Sequence, residues 1–223
     1  DIGKLVECFF DDSKWTVRYL VLDTGGWTRH QVLISPISVI HVGTANRTVT
    51  VSLTKSQIHD SPAPELHRPV SRQYERDYMN YYGYAPYWVG TDYWGAGRSP
   101  ADLARSRVSA SGRGADSGGG EPGWDSHLRS SRDVKGHHIQ ATDGEIGHVD
   151  DFLFDDQTWA IQYLRVDTSN WIGGRAVLVP RRALRDISWP EKKIYVELSR
   201  DEVANSPTYD PARLNREYEE QLD

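Results

Sequence analysis

Cysteine is almost missing from this chain: Cys8 is the only one among 223 residues. An intramolecular disulfide is therefore excluded, and so is any paired-cysteine redox, zinc or haem signature. Long apolar runs are also missing, and nothing approaches the ~20 residues that a membrane-spanning helix needs. No secretory-leader pattern opens the chain, which starts at Asp1 rather than Met. Clustered positive charge is scarce. The formal net charge is −6, so the electrostatic footprint for phosphate backbones is weak. There is no Gly-rich phosphate loop, no Gly-x-Ser-x-Gly and no His-Glu-x-x-His. These absences argue against an enzyme, and no catalytic, cofactor-binding or metal-ligating residue is expected.

What the sequence does have is a repeat. Displaced by 144 positions it falls on itself, with eleven identities in the 26 positions from 2 to 27. Ile2-Gly3 lies over Ile146-Gly147, Phe10-Asp11-Asp12 over Phe154-Asp155-Asp156, and Trp15 over Trp159. Tyr19-Leu20, Asp23-Thr24 and Trp27 match Tyr163-Leu164, Asp167-Thr168 and Trp171. After one inserted residue, Val32-Leu33 falls on Val177-Leu178 and Ser61-Pro62 on Ser206-Pro207. Two copies of one fold follow from this.

The second copy reads as a series of short strands. Val134 to Ala141 is expected as the first, closed by the turn Thr142-Asp143-Gly144, and His148 to Phe154 as the second. The polar turn from Asp155 to Thr158 leads into a third strand from Trp159 to Val166, rich in aromatic and β-branched residues. Ala176 to Val179 ends at Pro180, which has no ladder donor. Asp186 to Trp189 and Lys193 to Leu198 flank another turn. Ser199 with Glu202, and Thr54 with Gln57, have the spacing of capping boxes at helix starts. So many short strands predict a small barrel or sandwich.

Copy one starts at Asp1, without the counterpart of Val134 to Ala141, which predicts an unpaired edge in the first barrel. Arg216 to Glu219 matches Arg72 to Glu75 shortly before the chain stops. The reading at this stage is a fragment clipped at both ends.

As a set, these residues resemble the PRC-barrel family. The pattern is Asp143-Gly-Glu-Ile-Gly147, Phe154-Asp-Asp156, Trp159, Tyr163-Leu164, Val166-Asp-Thr168, Trp171 and Val177-Leu-Val-Pro180. Copy one carries Ile2-Gly3, Phe10-Asp-Asp12, Trp15, Tyr19-Leu20 and Leu22-Asp-Thr24, but departs at Ser35-Pro36. The family is named for the photosynthetic reaction centre H subunit and includes the C-terminal domain of ribosome maturation factor RimM. The resemblance implies an all-β chain with two small PRC-type β-barrels, each with a short trailing helix. The expected plan is barrel one over 1–62 (truncated), a Tyr/Trp-rich arm over 63–94 and a flexible Gly/Ser-rich linker over 95–128. Barrel two then covers 129–210 and the start of a helical tail 211–223. The arm resembles linkers of bacterial proteins carrying two such barrels.

The arm crowds aromatic residues together. Ser71 opens a predicted helix from Arg72 to Tyr82, with tyrosines at helical spacing. Tyr and Trp rings dominate binding hot spots, so Tyr78, Tyr81, Tyr82, Tyr87, Trp88 and Trp94 are the candidate interaction residues. Packing of the arm on its own barrel is the competing reading. Arg181, Arg182 and Arg185 form the candidate basic patch, read first as a solvated loop. Asp11-Asp12 and Asp155-Asp156 read as turn residues, and Cys8 as inert core. Adjacent His137 and His138 on a strand point to opposite faces and make a poor chelate.

The function expected from this is a non-enzymatic binding or scaffold protein working through protein–protein contact, with an unidentified partner or with itself. A ribosome- or RNA-associated factor is one alternative, by analogy with the maturation factor. A component of a photosynthetic membrane complex, by analogy with the H subunit, is another. A cytoplasmic location, or one peripheral to a membrane complex, is the matching expectation.

Overall fold

A computed structural model of the chain describes residues 1–28, 31–63, 70–105, 127–170 and 174–210. The chain separates into two compact units. Unit 1 holds the described residues of Asp1–Ser131 together with Asp155–Ala160, and unit 2 holds Arg132–Phe154 and those from Ile161 onward. The expected linker 95–128 and tail 211–223 fall largely outside the described residues, at 106–126 and 211–223.

Unit 1 begins with β1 (Lys4–Asp11), β2 (Thr16–Asp23) and β3 (Val32–Ile34). A 3-10 turn at Pro36–Ser38 leads to β4 (Val39–Gly43), β5 (Thr48–Val51) and α1 (Lys55–His59). Then come α2 (Arg72–Tyr82), α3 (Pro100–Arg105) and β6 (Leu128–Ser130). The sheet order is β3-β2-β1-β6, with β4-β5 a separate antiparallel pair. Strand β6 covers only the second half of β1, with Phe9 opposite Ser130 and Asp11 opposite Leu128.

Unit 2 includes α4 (Ser131–Val134), whose first residue is the last of unit 1, followed by β7 (His138–Ala141) and β8 (Gly144–Phe154). It continues with β9 (Ile161–Asp167), β10 (Ala176–Pro180) and a 3-10 turn at Arg181–Ala183. Strands β11 (Leu184–Ser188) and β12 (Lys193–Val196) and helix α5 (Arg200–Ala204) complete it. Its six strands run β10-β9-β8-β7-β12-β11, and β12 pairs with β7 in parallel.

Strand pairs β1–β2 and β8–β9 share details of register. Lys4 stands opposite Asp23 in one unit and His148 opposite Asp167 in the other. Register shifts fall at Leu5/Glu7 and Phe9/Phe10 in β1, and at Val149/Asp151 and Leu153/Phe154 in β8. Left-handed backbone occurs at Trp15 (φ 51°) and Trp159 (φ 61°), and again at Arg47 (φ 54°) and Lys192 (φ 51°). Both expected capping boxes form, at Thr54/Gln57 and Ser199/Glu202.

Several expectations need correcting. Neither unit closes into a continuous barrel among the described residues, since β10 and β11 remain edges of the six-stranded sheet. The physical reason lies at the corner. Pro180 has no N–H to extend the ladder, and the 3-10 turn after it redirects the chain into a new pair. Val134 to Ala141 is not one strand, because Val134 ends a helical turn and Gly136, at φ 83°, breaks it before β7. The third strand starts at Ile161 rather than Trp159. The Asp155 carboxylate accepts from Gln157 N (3.2 Å) and Thr158 N (2.6 Å), and this turn carries Trp159 into left-handed backbone. The segment expected to be a flexible linker contains α3, where Ser99 and Asp102 cap each other and Leu103 is buried.

Gly147 occupies a position that only glycine fits. A Cβ there would lie 2.2 Å from the Asp167 carbonyl oxygen, on a backbone at φ 66°. Gly3 has the same conflict with the Asp23 carbonyl oxygen, at 2.3 Å. Both strain and overlap oppose a side chain, and the atom in the way is backbone that cannot swing aside. Gly147→Ala should therefore cost more than about 2 kcal/mol. A urea unfolding midpoint within error of the parent would refute that.

Candidate interaction site

Seven of the eight residues of β2 are buried, so the strand is covered on both faces. One of them is Arg18, a charged side chain with no exposure at all. Sequence alternation alone would put it in water. The second cover is the aromatic segment, starting with α2. Ser71 caps this helix by accepting from Tyr74 N (3.2 Å), and Gly83 ends it in left-handed backbone at φ 69°.

That segment is fixed to its own unit through its polar tips. Tyr78 is fully buried; its hydroxyl receives Ser35 N (2.9 Å) and donates to Leu33 O (3.2 Å). Tyr74 donates to Pro62 O (3.0 Å) and Tyr81 to Gln57 O (2.9 Å). Trp94 donates to Thr158 O (2.6 Å). Rings pack in series: Tyr19 lies edge-on to Tyr78 (5.1 Å), Tyr78 meets Tyr82 (4.8 Å), and Tyr87 meets Trp88 (5.1 Å). Such edge-on and tilted pairs suit the ring quadrupoles.

At the centre is a charged cluster. Arg18 Nη2 donates to Asp11 Oδ2 at 3.0 Å, and its guanidinium lies 4.0 Å from the Tyr87 ring centre and 4.8 Å from that of Trp94. Its Nε and Nη1 have no hydrogen-bond partner among the described residues. Glu75 enters from α2, 1% exposed. It accepts from Arg72 (2.8 Å), from the Tyr19 hydroxyl (3.2 Å) and from the Tyr87 hydroxyl. Burial pushes the Glu75 carboxyl up from 4.5 to about 7, only partly offset by Arg72, the two tyrosines and Arg18. Burial opposes ionisation of Asp11 as well. There the Arg18 charge and bonds from Ser13, Arg18 and Lys14 outweigh it and hold the carboxyl below its usual value.

The six aromatic candidates therefore divide. Tyr78, Tyr87 and Trp94 are at 0%, 2% and 0% exposure, and burial removes them from any contact surface of this unit. Outside are Tyr81 (41%) and the unforeseen Val89 (58%), with Tyr82 and Trp88 half-buried. The Arg72 guanidinium stacks 4.4 Å from the Trp88 ring centre, which steadies that ring from within. Sequence reasoning missed Arg18 and Glu75. The available signals were a charge in the middle of an otherwise apolar strand and an acid within a run of tyrosines.

The remaining candidates are scattered. Arg182 and Arg185 are exposed and Arg181 is half-buried, on the corner between β10 and β12. Arg185 lies 5.6 Å from the Tyr195 ring centre. His137 is buried against Trp189 while His138 is exposed and meets Glu145 at 2.9 Å. Desolvation, then the Lys192 charge, lowers the His137 pKa. Cys8 is half-buried, and its N–H donates to Ser131 Oγ (3.1 Å). Among the described residues, no three His, Cys, Asp or Glu side chains gather as a ligand set. No helix of the described residues is long and apolar enough to cross a membrane.

A six-stranded sheet with a parallel β7–β12 pair, a 3-10 corner and a capped trailing helix defines unit 2. Residues 127–203 match the PRC-barrel domain, so the chain contains one such domain there. No curated protein matches the chain.

Proposed function

We propose that the chain is a non-enzymatic interaction protein built from two copies of one PRC-type module, the first dressed by the aromatic segment. Agreement of register shifts, left-handed positions and capping boxes between the units supports the duplication. The observation that carries the interaction reading is the way the segment is mounted. Its inner rings and hydroxyls are consumed by internal bonds, which leaves Tyr81, Tyr82, Trp88 and Val89 at the surface on a rigid base. Ordered rings lose little entropy when a partner covers them, so they bind well for their area. The occupant proposed is a protein, whether another species or a further copy.

The test is the double variant Tyr81→Ala/Val89→Ala, which truncates two exposed side chains and leaves Trp88 in place against Arg72 and Tyr87. Immobilised parent chain should retain a defined protein, or sediment as a larger species with rising concentration, and the variant should bind at least tenfold more weakly. Identical behaviour of parent and variant in both measurements would reject the reading. So would reproducible substrate turnover abolished by one point substitution.

A further inference from the structure

The link between α4 and β7 carries His137, which is 3% exposed. Its two ring nitrogens, Nδ1 and Nε2, have no hydrogen-bond partner among the described residues. A neutral imidazole has one donor and one acceptor, and buried polar atoms mostly find a partner. Here the neighbour is instead the Trp189 ring, set edge-on with 5.6 Å between centres. The backbone around His137 is fully engaged. His137 N donates to Val134 O (3.0 Å), Val149 N to His137 O (2.9 Å), Gly136 N to Val149 O (2.8 Å) and His138 N to Lys192 O (2.9 Å). These four bonds fasten the start of β7 to β8 on one side and to the β11–β12 turn on the other.

Charged groups act on the ring from each neighbouring element: Asp133 from α4, Lys192 from the β11–β12 turn and His138 from β7. His138 is itself held by Glu145 (2.9 Å), and nearby Lys135 by Asp151 (3.8 Å). Desolvation is the largest influence on His137 and opposes its charge. Lys192 and His138 add to that effect, and Asp133 works against it. A proton on this ring would create two N–H donors with nothing to receive them, in a site that water barely reaches. Wetting the ring demands less than unfolding the unit. It requires the four bonds at the start of β7 to open, while the pairing of Ile139 with Ile194 and of Gln140 with Tyr195 stays in place.

We propose that His137 is an acid-sensitive latch in unit 2, whose protonation releases α4 and the start of β7 from β8 and from the β11–β12 turn. Release uncovers Val134 and Val149, both at 0% exposure. The direction follows from the environment of the ring. Its folded pKa lies below the ordinary 6.5, so the latch is closed above that value. It loosens as pH falls through 6.5 and reaches its limit below the folded pKa. The device belongs to unit 2 and needs no partner to be observed, so it stands or falls apart from the exposed rings of unit 1.

The experiment follows the full chain by NMR between about pH 7.5 and about pH 5. Amide protection, corrected for the intrinsic exchange rate, should fall about threefold or more at Gly136, His137 and His138 while the amides of β9 keep theirs. The His137 imidazole should titrate below 6.5. His137→Phe keeps a ring against Trp189 but takes no proton, and its protection should not change with pH. His138→Gln, at the exposed neighbour, should behave as the parent does. Titration of His137 at 6.5 or above overturns the proposal, and so does protection in the parent that stays constant. An equal loss across β9 also overturns it, because the unit then unfolds as a whole. Should His137→Phe fail to fold, the imidazole titration and the exchange pattern of the parent decide by themselves.

Discussion

Arg18→Ala should lower the stability of unit 1 by about 3–5 kcal/mol, because it breaks a buried ion pair from one side only. The partner left behind, Asp11, has a 9% exposed side chain and keeps only its bonds to Ser13 and Lys14. The void would lie under the Tyr87 and Trp94 rings, now 4.0 and 4.8 Å from the guanidinium, and they would lose their packing surface as well as their cation. Arg18→Lys should be nearly as damaging, since a point charge cannot stack flat between two rings. Arg18→Met with Asp11→Asn should recover much of the loss. It removes both charges and also the two guanidinium N–H positions that have no partner among the described residues. Urea unfolding of the parent and these three variants, followed by tryptophan fluorescence, gives the comparison. A cost below about 1 kcal/mol for Arg18→Ala would mean that the pair contributes little.

How far these features were legible depends on whether their cause is local. Both capping boxes could be read because the Ser199/Glu202 and Thr54/Gln57 spacings specify their own hydrogen bonds. Helix α2 was readable from Ser71 and the tyrosine spacing. The Asp155 turn was also readable, but not its reach: three residues of turn move Trp159 to positive φ and delay β9 by two residues. Closure of a barrel was not legible. It depends on whether β10 and β11 meet across a corner, and no local pattern encodes that meeting.

The interaction candidates show the same divide. Aromatic richness marked the right segment, but helical periodicity could not say which rings face inward, because the covering partner is β2, more than fifty residues earlier in sequence. Only with β2 in place does Tyr78 turn inward to Leu33 and Ser35 while Tyr81 stays outside. Arg18 and Glu75 escaped notice for the same reason. Each looks like an ordinary solvated charge until the segment folds over the sheet and removes water from both.

Glu75 gives this cover a pH dependence. Its carboxyl, raised by burial from 4.5 to about 7, holds a proton in the folded chain over a range where the unfolded chain has released it. The stability it contributes is therefore fully present below about 4.5 and is lost as pH rises through about 7, a swing of roughly 3 kcal/mol at ~1.4 kcal/mol per unit. Asp11 works in the opposite sense. Its lowered pKa gives stability present above the ordinary carboxylate value and lost as pH falls through the folded one, below the window in which Glu75 acts. Glu75→Gln isolates the first effect, since the amide keeps an acceptor for Tyr19 and Tyr87 but cannot titrate. Relative to the parent, this variant should gain about 3 kcal/mol between pH 4.5 and pH 8. The urea midpoints of the two proteins should diverge through that interval, while Asp11 cancels from the difference. A difference that stays constant from pH 4.5 to 8 would show that Glu75 ionises in the folded chain as it does in water. The aromatic cover would then have to admit solvent to a carboxyl that the packing of Tyr19, Tyr87 and Arg72 leaves 1% exposed.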